Sequence, residues 1–220
     1  MQPIVEWLKV GELGVMCYLV MCPATARAAI VDPGAEPERI SELVRRANAT
    51  VDFILCTHGH PDHLLAAPEL ARMLGGVPIA MHEADARFFA TDQGRHVATR
   101  ELGLSPPPAP DIRLHDAQVL RVGEQEIKVL HTPGHSPGSV CYLAEGELFT
   151  GDTLFVDAVG RTDLGGASMD ELLRSINQKI LPLPDQTMIR PGHDYGPRPF
   201  ATLGEQKRTN PFITEFILGE

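Results

Sequence analysis

The stretch Thr57-His58-Gly59-His60-Pro61-Asp62-His63 follows the apolar run Val51-Asp52-Phe53-Ile54-Leu55-Cys56, and together they decide how the chain is organised. The run predicts a short buried strand, which places the polar stretch where the strand ends and the chain turns. A strand anchored in the core holds such a turn in place, so its side chains can converge. Neutral imidazoles and carboxylates are the ligands that divalent first-row metals select. The stretch therefore predicts a metal site, with a solvated polar turn as the alternative.

The composition is typical of a globular protein and argues against nucleic-acid and membrane partners. Of 220 residues, 43% are hydrophobic and 22% are charged, which is ordinary for a globular chain. We expect one domain over residues 1–220, because this length suffices for a single full core. The net charge of -10 argues against nucleic acid as a partner, since phosphate binding needs surplus Lys and Arg. No apolar run reaches the ~18 residues that span a bilayer, so no membrane partner is expected.

The cysteines and the N-terminus indicate the compartment. Cys17, Cys22, Cys56 and Cys141 all lie in apolar, strand-like runs, and none forms a CxxC pair. We interpret them as buried, reduced thiols. The N-terminal residues show no basic segment followed by an apolar one, so no signal peptide is predicted. We expect a soluble, cytoplasmic protein.

Alternating apolar residues and turn residues predict strands interrupted by helices. The predicted strands cover residues 3–10, 14–22, 27–32, 51–56, 77–81, 112–115, 119–122, 126–130, 139–143, 147–150 and 187–190. Helices are predicted from Pro37, over 68–74, after Ser168, and over one or two segments from about Ala201. Strands interleaved with helices predict an α/β fold of two packed sheets with helices outside.

Residues 82–110 give the weakest signal in the chain. A helix is predicted over 82–89, and Ser105-Pro106-Pro107-Pro108-Ala109-Pro110 predicts a stiff polyproline segment. We expect a surface excursion here, and a lid over the site is the alternative.

Several predicted strands end in a turn that carries a metal-type residue. These turns hold the His58–His63 stretch, His135, Asp152 and His193. Strand ends that share one edge of a sheet bring their turns together, so these residues predict a single site on the rim. Four other histidines fit no ligand position and are expected to be structural or on the surface: His82, His96, His115 and His131.

These motifs resemble those of the metallo-β-lactamase superfamily. The similarity rests on His58-x-His60-x-Asp62-His63, His135, Gly151-Asp152 and Pro191-Gly192-His193, and it extends from about residue 4 to residue 213. It implies an αββα sandwich of two mixed β-sheets with helices on the outer faces. It also implies two divalent metal ions, with zinc expected first and iron or manganese as alternatives.

The same resemblance implies a role for each motif residue. A first metal would be held by His58, His60 and His135, and a second by Asp62, His63 and His193, with Asp152 as the bridge. Asp62 is also the expected catalytic residue, because its other oxygen could orient the nucleophile. True β-lactamases of the superfamily lack an acidic bridging residue like Asp152, so lactam hydrolysis is not expected.

Within the superfamily, two segments are similar to the glyoxalase II-like branch. They are Thr150–Phe155 with Gly160–Leu164, and the tail Glu205–Phe212. The similarity implies a thioesterase that hydrolyses glutathione thioesters such as S-lactoylglutathione through a metal-bound hydroxide. Few residues follow His193, so the short form of that branch is expected.

Two residues are expected to contact that substrate. Glutathione is an anion and this chain is acidic, so binding requires local cations. Arg161 is the cation beside the metal-site motifs, and a solvated surface charge is its alternative interpretation. Tyr195, two residues after His193, is the second expected contact. The oligomeric state stays open.

A different reaction is also compatible with these motifs. Persulfide dioxygenases look similar across the same regions and use one iron, held at positions that match His58, His135 and Asp152. Tyr195 favours this alternative, in which glutathione persulfide is oxidised with O2. The excursion over 82–110 favours the hydrolase. Two histidines and a carboxylate also describe a non-haem iron site, so the motif alone does not choose the metal.

Overall fold

The computed structural model describes residues 2–219, which form fourteen strands, seven α-helices and four short 3₁₀- or π-helical segments. The strands are β1 (Ile4–Val10), β2 (Val15–Met21), β3 (Arg27–Val31), β4 (Thr50–Leu55), β5 (Ile79–His82), β6 (Ile112–Leu114), β7 (Val119–Val122), β8 (Gln125–His131), β9 (Val140–Ala144), β10 (Glu147–Gly151), β11 (Leu154–Phe155), β12 (Ala158–Val159), β13 (Met188–Pro191) and β14 (Ala201–Thr202). The helices are α1 (Pro37–Arg46), α2 (Ala67–Met73), α3 (Glu83–Phe88), α4 (Asp92–His96), α5 (Met169–Ser175), α6 (Leu203–Thr209) and α7 (Pro211–Ile213).

The first six strands form one mixed sheet in the order β1-β2-β3-β4-β5-β6. Strands β1 to β3 pair antiparallel, and β3 to β6 pair parallel. Parallel neighbours need a long crossover, which α1 supplies between β3 and β4 and α2 supplies between β4 and β5. The carboxyl ends of β3 and β4 therefore reach the same edge of the sheet.

The second mixed sheet has the order β14-β13-β10-β9-β8-β7. Its hairpins are antiparallel, while β10 and β13 pair parallel across a crossover that contains α5. A small separate hairpin, β11 with β12, lies directly after β10. The ends of β10 and β13 are therefore neighbours.

The core has three layers, which confirms the predicted αββα sandwich of two mixed sheets. A central cluster that includes Tyr18, Val129 and Phe149 lies between the two sheets. Ile40 of α1 packs against the outer face of the first sheet, and Leu172 of α5 packs against the second. Burial of these apolar faces stabilises the sandwich.

Hydrogen bonds join the two sheets at one edge. The buried hydroxyl of Tyr18 donates to the carbonyl of Pro191 at 2.6 Å, and that of Tyr142 donates to Cys56 at 2.7 Å. The backbone N–H of Met16 donates to Gly192 at 2.8 Å. Buried tyrosine hydroxyls need such partners. These contacts fix the turns that follow β4 and β13.

Residues 82–98 pack against the same edge, so the expected surface excursion is wrong for this part, while none of residues 99–110 is buried. Phe89, Val97 and Ala98 form a satellite core with Leu164. The Phe89 ring also meets the His60 ring edge-on, with centroids 5.9 Å apart. Sequence patterns missed this because the segment buries short apolar groups that lack a sustained period. In this structure residues 82–98 pack beside the His58–His63 turn.

The short elements were also beyond the sequence patterns. Strands β11, β12 and β14 have two residues each, too few to show alternation. The helix predicted from about Ala201 begins at Leu203, after a capping box between Thr202 and Glu205. Within residues 2–219, no helix is both long enough and apolar enough to cross a membrane.

Candidate metal centre

The structure brings together the seven side chains that the sequence marked as ligands. They are His58, His60, Asp62, His63, His135, Asp152 and His193, each placed in a turn that follows a strand. Their nitrogen and oxygen atoms form three overlapping groups in which all atoms lie within 4.8 Å of one another. This spacing is that of a metal-binding cluster; the role of each residue as a ligand stays a prediction.

The first group joins His58, His60 and His135, all of them buried. The Nε2 atom of His135 lies 3.3 Å from His58 Nε2 and 2.9 Å from His60 Nδ1. The three rings are nearly perpendicular to one another, with interplanar angles of 80–89°. Three nitrogens therefore face one point from three directions.

The second group joins Asp62, His63 and His193. The Nε2 atoms of the two histidines lie 3.2 Å apart. Asp62 Oδ2 lies 3.5 Å from His63 Nε2 and 3.7 Å from His193 Nε2. Two imidazoles and a carboxylate thus face a second point beside the first.

Asp152 lies between the two groups. Its Oδ2 is 3.6 Å from His135 Nε2, and its Oδ1 is 3.4 Å from His63 Nε2. Oδ1 is buried and is the one buried side-chain polar atom within residues 2–219 that has no hydrogen-bond partner. A bare buried carboxylate oxygen is costly unless a cation faces it.

Acceptors hold the far side of the histidine rings. His58 Nδ1 lies 3.1 Å from Thr57 Oγ1, which in turn donates to Asp32 Oδ2 at 2.7 Å. His63 Nδ1 contacts the same Asp32 oxygen at 3.0 Å. Asp32 follows β3, beside the end of β4, so the parallel pairing of these strands places it. An acceptor at Nδ1 leaves Nε2 free to bind a metal.

Backbone carbonyls do the same for two more rings. His135 Nδ1 donates to the carbonyl of Arg161 at 2.8 Å, and His193 Nδ1 donates to that of Leu13 at 3.1 Å. The Nε2 lone pairs of His58 and His135 therefore face each other across 3.3 Å. Such an arrangement repels unless a cation lies between them. The donor set fits divalent metals.

The electrostatics agree with a site built for cations. Burial, followed by the neighbouring His63 and His135, lowers the pKa of His58 well below its usual range. Burial also opposes charge on His63, but Asp152, Asp62 and Asp32 raise the pKa of that ring to about 10. His58 is therefore neutral, as a metal ligand must be, and the three carboxylates around His63 create a negative potential that favours a bound cation.

Asp85 is a residue of this site that sequence reasoning missed. It is fully buried in α3, and its Oδ2 accepts from Gly59 N–H and Ser136 O–H, each at 2.7 Å. Its Oδ1 accepts from Gly138 N–H at 2.6 Å. Asp85 therefore ties the turn of His58 and His60 to the turn of His135. The sequence showed no sign of this role, because Asp85 lies in the segment 82–110, whose pattern predicted little structure.

The tail motif has a structural explanation. Gln206 and Asn210 are fully buried, and Gln206 exchanges hydrogen bonds with Asp157 at 2.7 and 3.1 Å. Asn210 Nδ2 donates to Ala158 at 3.0 Å. These amides hold the β11–β12 hairpin that follows Asp152. The tail motif was recognised in the sequence, but its contact with the β11–β12 hairpin was not predicted.

The two expected substrate contacts, Arg161 and Tyr195, are exposed and each contacts a histidine of the cluster. The Arg161 guanidinium is 55% exposed in its side chain and forms two hydrogen bonds with Asp163, at 2.7 and 2.8 Å. Tyr195 is 64% exposed and stacks on the His193 ring, with centroids 4.7 Å apart and planes 5° apart. Both lie at the rim, and their contact with substrate stays a prediction.

A match to known proteins identifies the family. Residues 10–193 match the model of the metallo-beta-lactamase superfamily, which is most of the chain. The chain belongs to the metallo-β-lactamase superfamily. The β-sandwich and the His/Asp cluster described above are therefore those of a metallo-hydrolase superfamily member.

Curated relatives match over most of this chain and of their own length. A protein of Aquifex aeolicus (strain VF5) is 37% identical over 98% of this chain and 100% of its own. The hydroxyacylglutathione hydrolase GloC of Haemophilus influenzae is 34% identical over 84% of this chain and 87% of its own.

Solved structures of superfamily members are also similar. BLEG-1, a B3 metallo-beta-lactamase, has a TM-score of 0.86 and 34% identity over 96% of this chain and 100% of its own. TTHA1623, in a di-iron-bound form, has a TM-score of 0.78 and 35% identity over 96% and 100%. ETHE1 from Myxococcus xanthus has a TM-score of 0.78 and 28% identity over 99% and 92%.

Proposed function

We propose that this chain is a single-domain, cytoplasmic hydrolase that holds two divalent metal ions and cleaves glutathione thioesters such as S-lactoylglutathione. The observation that carries the proposal is the pair of ligand groups joined by Asp152, whose buried Oδ1 lacks a partner. The similarity to GloC of Haemophilus influenzae supports the thioester substrate.

The proposed chemistry divides between the metals and the chain. When bound, two divalent ions lower the pKa of water to about 7 and polarise a carbonyl oxygen. Asp62, which lies between His63 and His193, would bind through Oδ2 and accept or orient a proton with its other oxygen. A thiolate is a good leaving group, so no dedicated general acid is required.

Replacing Asp62 tests the hydrolase proposal. Asp62→Ala should lower kcat/KM for S-lactoylglutathione by about 10³-fold or more, because a metal ligand and the proton acceptor are lost together. Asp92→Ala is the matched control, since Asp92 lies fully exposed in α4. Near-normal turnover by a folded Asp62→Ala protein contradicts the proposal. A chromogenic cephalosporin in the same assay tests lactam hydrolysis, for which we expect no turnover.

The proposed role of Arg161 is to bind a glutathione carboxylate by exchanging its partner Asp163. Arg161→Ala keeps the backbone carbonyl that holds His135, so it removes only the guanidinium. We expect KM to rise roughly 10-fold with little change in kcat, the scale of one charge-assisted hydrogen bond. Arg121→Ala is the matched control, because Arg121 is also exposed and paired with an acid, Glu126. An unchanged KM removes Arg161 from the site.

Tyr195 is proposed to contact the same substrate through its hydroxyl. Tyr195→Phe keeps the ring that stacks on His193 and removes the hydroxyl. A neutral hydrogen bond at an exposed position contributes about 1 kcal/mol, so KM should rise about fivefold. An unaltered KM would leave Tyr195 with a packing role alone.

A mononuclear-iron persulfide dioxygenase is the second candidate, supported by Tyr195 and by the similarity to ETHE1 from Myxococcus xanthus. Elemental analysis of the aerobically purified protein separates the two. About two equivalents of zinc per chain support the hydrolase. One equivalent of iron, with O2 uptake in the presence of glutathione persulfide, supports the dioxygenase.

A further inference from the structure

A cavity of about 210 Å³ opens beside the second ligand group. Its apolar wall includes Leu13, Val15, Leu65 and Leu104, and Asp62 forms part of its lining. Asp62 therefore belongs both to the cavity and to the metal cluster. The cavity therefore adjoins the proposed active site at Asp62.

The wall is tied directly to the ligands. The carbonyl of Leu13 accepts from His193 Nδ1 at 3.1 Å, and Val15 pairs with His193 across an antiparallel bridge. Leu104, from the segment 82–110, also lines the cavity. The β1–β2 turn and that segment therefore both contribute to its wall.

Large apolar side chains lie open to solvent here. Leu13 is 57% exposed and Leu65 is 38% exposed, although both lie within one cavity. A cluster of exposed apolar side chains next to a polar site is typical of a pocket that binds the apolar part of a ligand. At about 30 Å³ for each water-sized group, the cavity has room for roughly seven such groups.

The charge around the cavity narrows the occupant further. Its charged lining residues are the acids Glu12 and Asp62, and no lysine or arginine lines it. Arg161, the cation proposed for glutathione, lies at the first ligand group, where its carbonyl holds His135. The site therefore has an arginine, paired with Asp163, at the first group and an apolar cavity lined by acids at the second.

We propose that this cavity binds the acyl chain of the substrate, and that the preferred thioesters carry an uncharged, apolar acyl group of about four to eight carbons. This inference rests on the proposed thioesterase function and deepens it. The thioester carbonyl lies at the cluster, the chain enters the cavity past Asp62, and the thiol half extends towards Arg161. A short hydroxyacyl group would leave most of the cavity unfilled.

A series of S-acylglutathiones tests the proposal in the metal-loaded protein. We expect kcat/KM to rise about 10- to 100-fold from acetyl to hexanoyl, as each added methylene is removed from water. Glutaryl, which ends in a carboxylate, should be at least about 10-fold poorer than pentanoyl, which has the same length. A flat series from acetyl to hexanoyl, or equal rates for that pair, overturns the proposal.

Variants of the wall locate the effect. Leu104→Ser should reduce the hexanoyl-to-acetyl ratio of kcat/KM about fivefold or more, and Leu13→Ser should act in the same direction. Leu104→Phe fills the cavity and should shift the optimum to shorter chains. Leu218→Ser is the matched control, because Leu218 is 47% exposed at the opposite end of the chain. Wall variants that leave the ratio unchanged contradict the assigned location.

A binding experiment separates this inference from the proposed function. Calorimetry with free acetate and hexanoate measures the cavity without any turnover. Hexanoate should bind about 10-fold more tightly than acetate, and Leu104→Ser should remove most of that difference. If this holds while no thioester is hydrolysed, the hydrolase proposal fails and the cavity assignment stands. Equal affinities in the wild type overturn the cavity assignment even in an active thioesterase.

Discussion

Two groups of histidines lie at strand ends in this molecule, and they differ in what their nitrogens do. The ligand cluster comprises His58, His60, His63, His135 and His193. The stacked cluster comprises His82, His115 and His131, at the ends of β5, β6 and β8. Residue type and strand-end position are the same in both, so neither can explain a metal site alone.

The orientation of the rings makes the difference. In the ligand cluster, outer acceptors such as Asp32 and the Arg161 carbonyl hold one nitrogen, and the other nitrogen faces a common point. In the stacked cluster, the His82 and His131 rings lie parallel, with centroids 3.9 Å apart and planes 14° apart. Parallel rings do not direct their nitrogens at one point.

The stacked cluster also uses its nitrogens for the backbone. His82 Nδ1 accepts from Ala84 N–H at the start of α3, and His131 Nε2 lies 3.0 Å from the carbonyl of Pro137. These histidines cap a helix and hold a turn. A histidine becomes a metal ligand when its surroundings leave a nitrogen free and aim it.

The largest expected effect comes from removing the bridge between the two ligand groups. Asp152→Asn should cost about 10³-fold or more in kcat/KM and reduce bound metal, because the proposed bridging carboxylate would no longer offset the charge of the bound ions. The matched change in the stacked cluster is His131→Asn, which should keep the metal content. Elemental analysis of both variants checks this. Loss of metal from His131→Asn would contradict the prediction that the stacked cluster takes no part in metal binding.

The outer acceptors come next. Asp32→Asn keeps the side-chain shape and suits the positive φ of 51° at this position. An amide cannot accept from Thr57 N–H, Thr57 O–H and His63 together, so metal affinity should fall 10- to 100-fold. Competition with a chelator measures it. Asp111→Asn, which removes a carboxylate that accepts from Ile79 N–H away from the site, should leave affinity unchanged.

Replacing Asp85 should affect the two ligand groups of the cluster differently, because Asp85 contacts only the turns that carry the first group. Asp85→Asn leaves one of three buried donors, from Gly59, Ser136 and Gly138, without an acceptor, which costs about 1–3 kcal/mol of stability. It should weaken the His58–His60–His135 group about 10-fold more than the other group. Stepwise metal titration resolves the two. Asp116→Asn, beside the stacked cluster, is the control; equal weakening of both groups would show that Asp85 does not position the first.

The smallest effect is a pH dependence of the stacked cluster. Burial, followed by the neighbouring His131, lowers the pKa of His82 to about 4, against about 6.5 in an unfolded chain. The unfolded state then binds more protons between these values, so this ring makes stability fall as the pH drops from about 6.5 to 4.

His82→Asn keeps a cap for α3 and removes that titration. The free energy of unfolding of the variant minus that of wild type should be about 1 kcal/mol larger at pH 5 than at pH 7.5, after allowance for solvent screening. Denaturant unfolding at the two pH values measures this. His96→Asn, in an exposed ring of α4, should show no such gain. An equal pH dependence in wild type and His82→Asn would rule out His82 as its source.

The sequence by itself determined the layered α/β class and the seven residues that meet at the cluster. Strand alternation and the period of α1 reflect local burial, which is written in neighbouring residues. The spacing from His58 to His63 is equally local, because a single turn carries those side chains. The family match over residues 10–193 includes these motifs.

Only the tertiary structure decided which histidines are aimed at a common point and what surrounds them. Asp32 and the carbonyls of Arg161 and Leu13 reach their rings from other parts of the chain. Asp85 contacts Ser136 and Gly138, which lie 51 and 53 residues further along the chain. Leu13 and Leu104 meet at one cavity from distant segments. Such partners are far apart along the chain, and no local pattern encodes a contact that sheet packing creates.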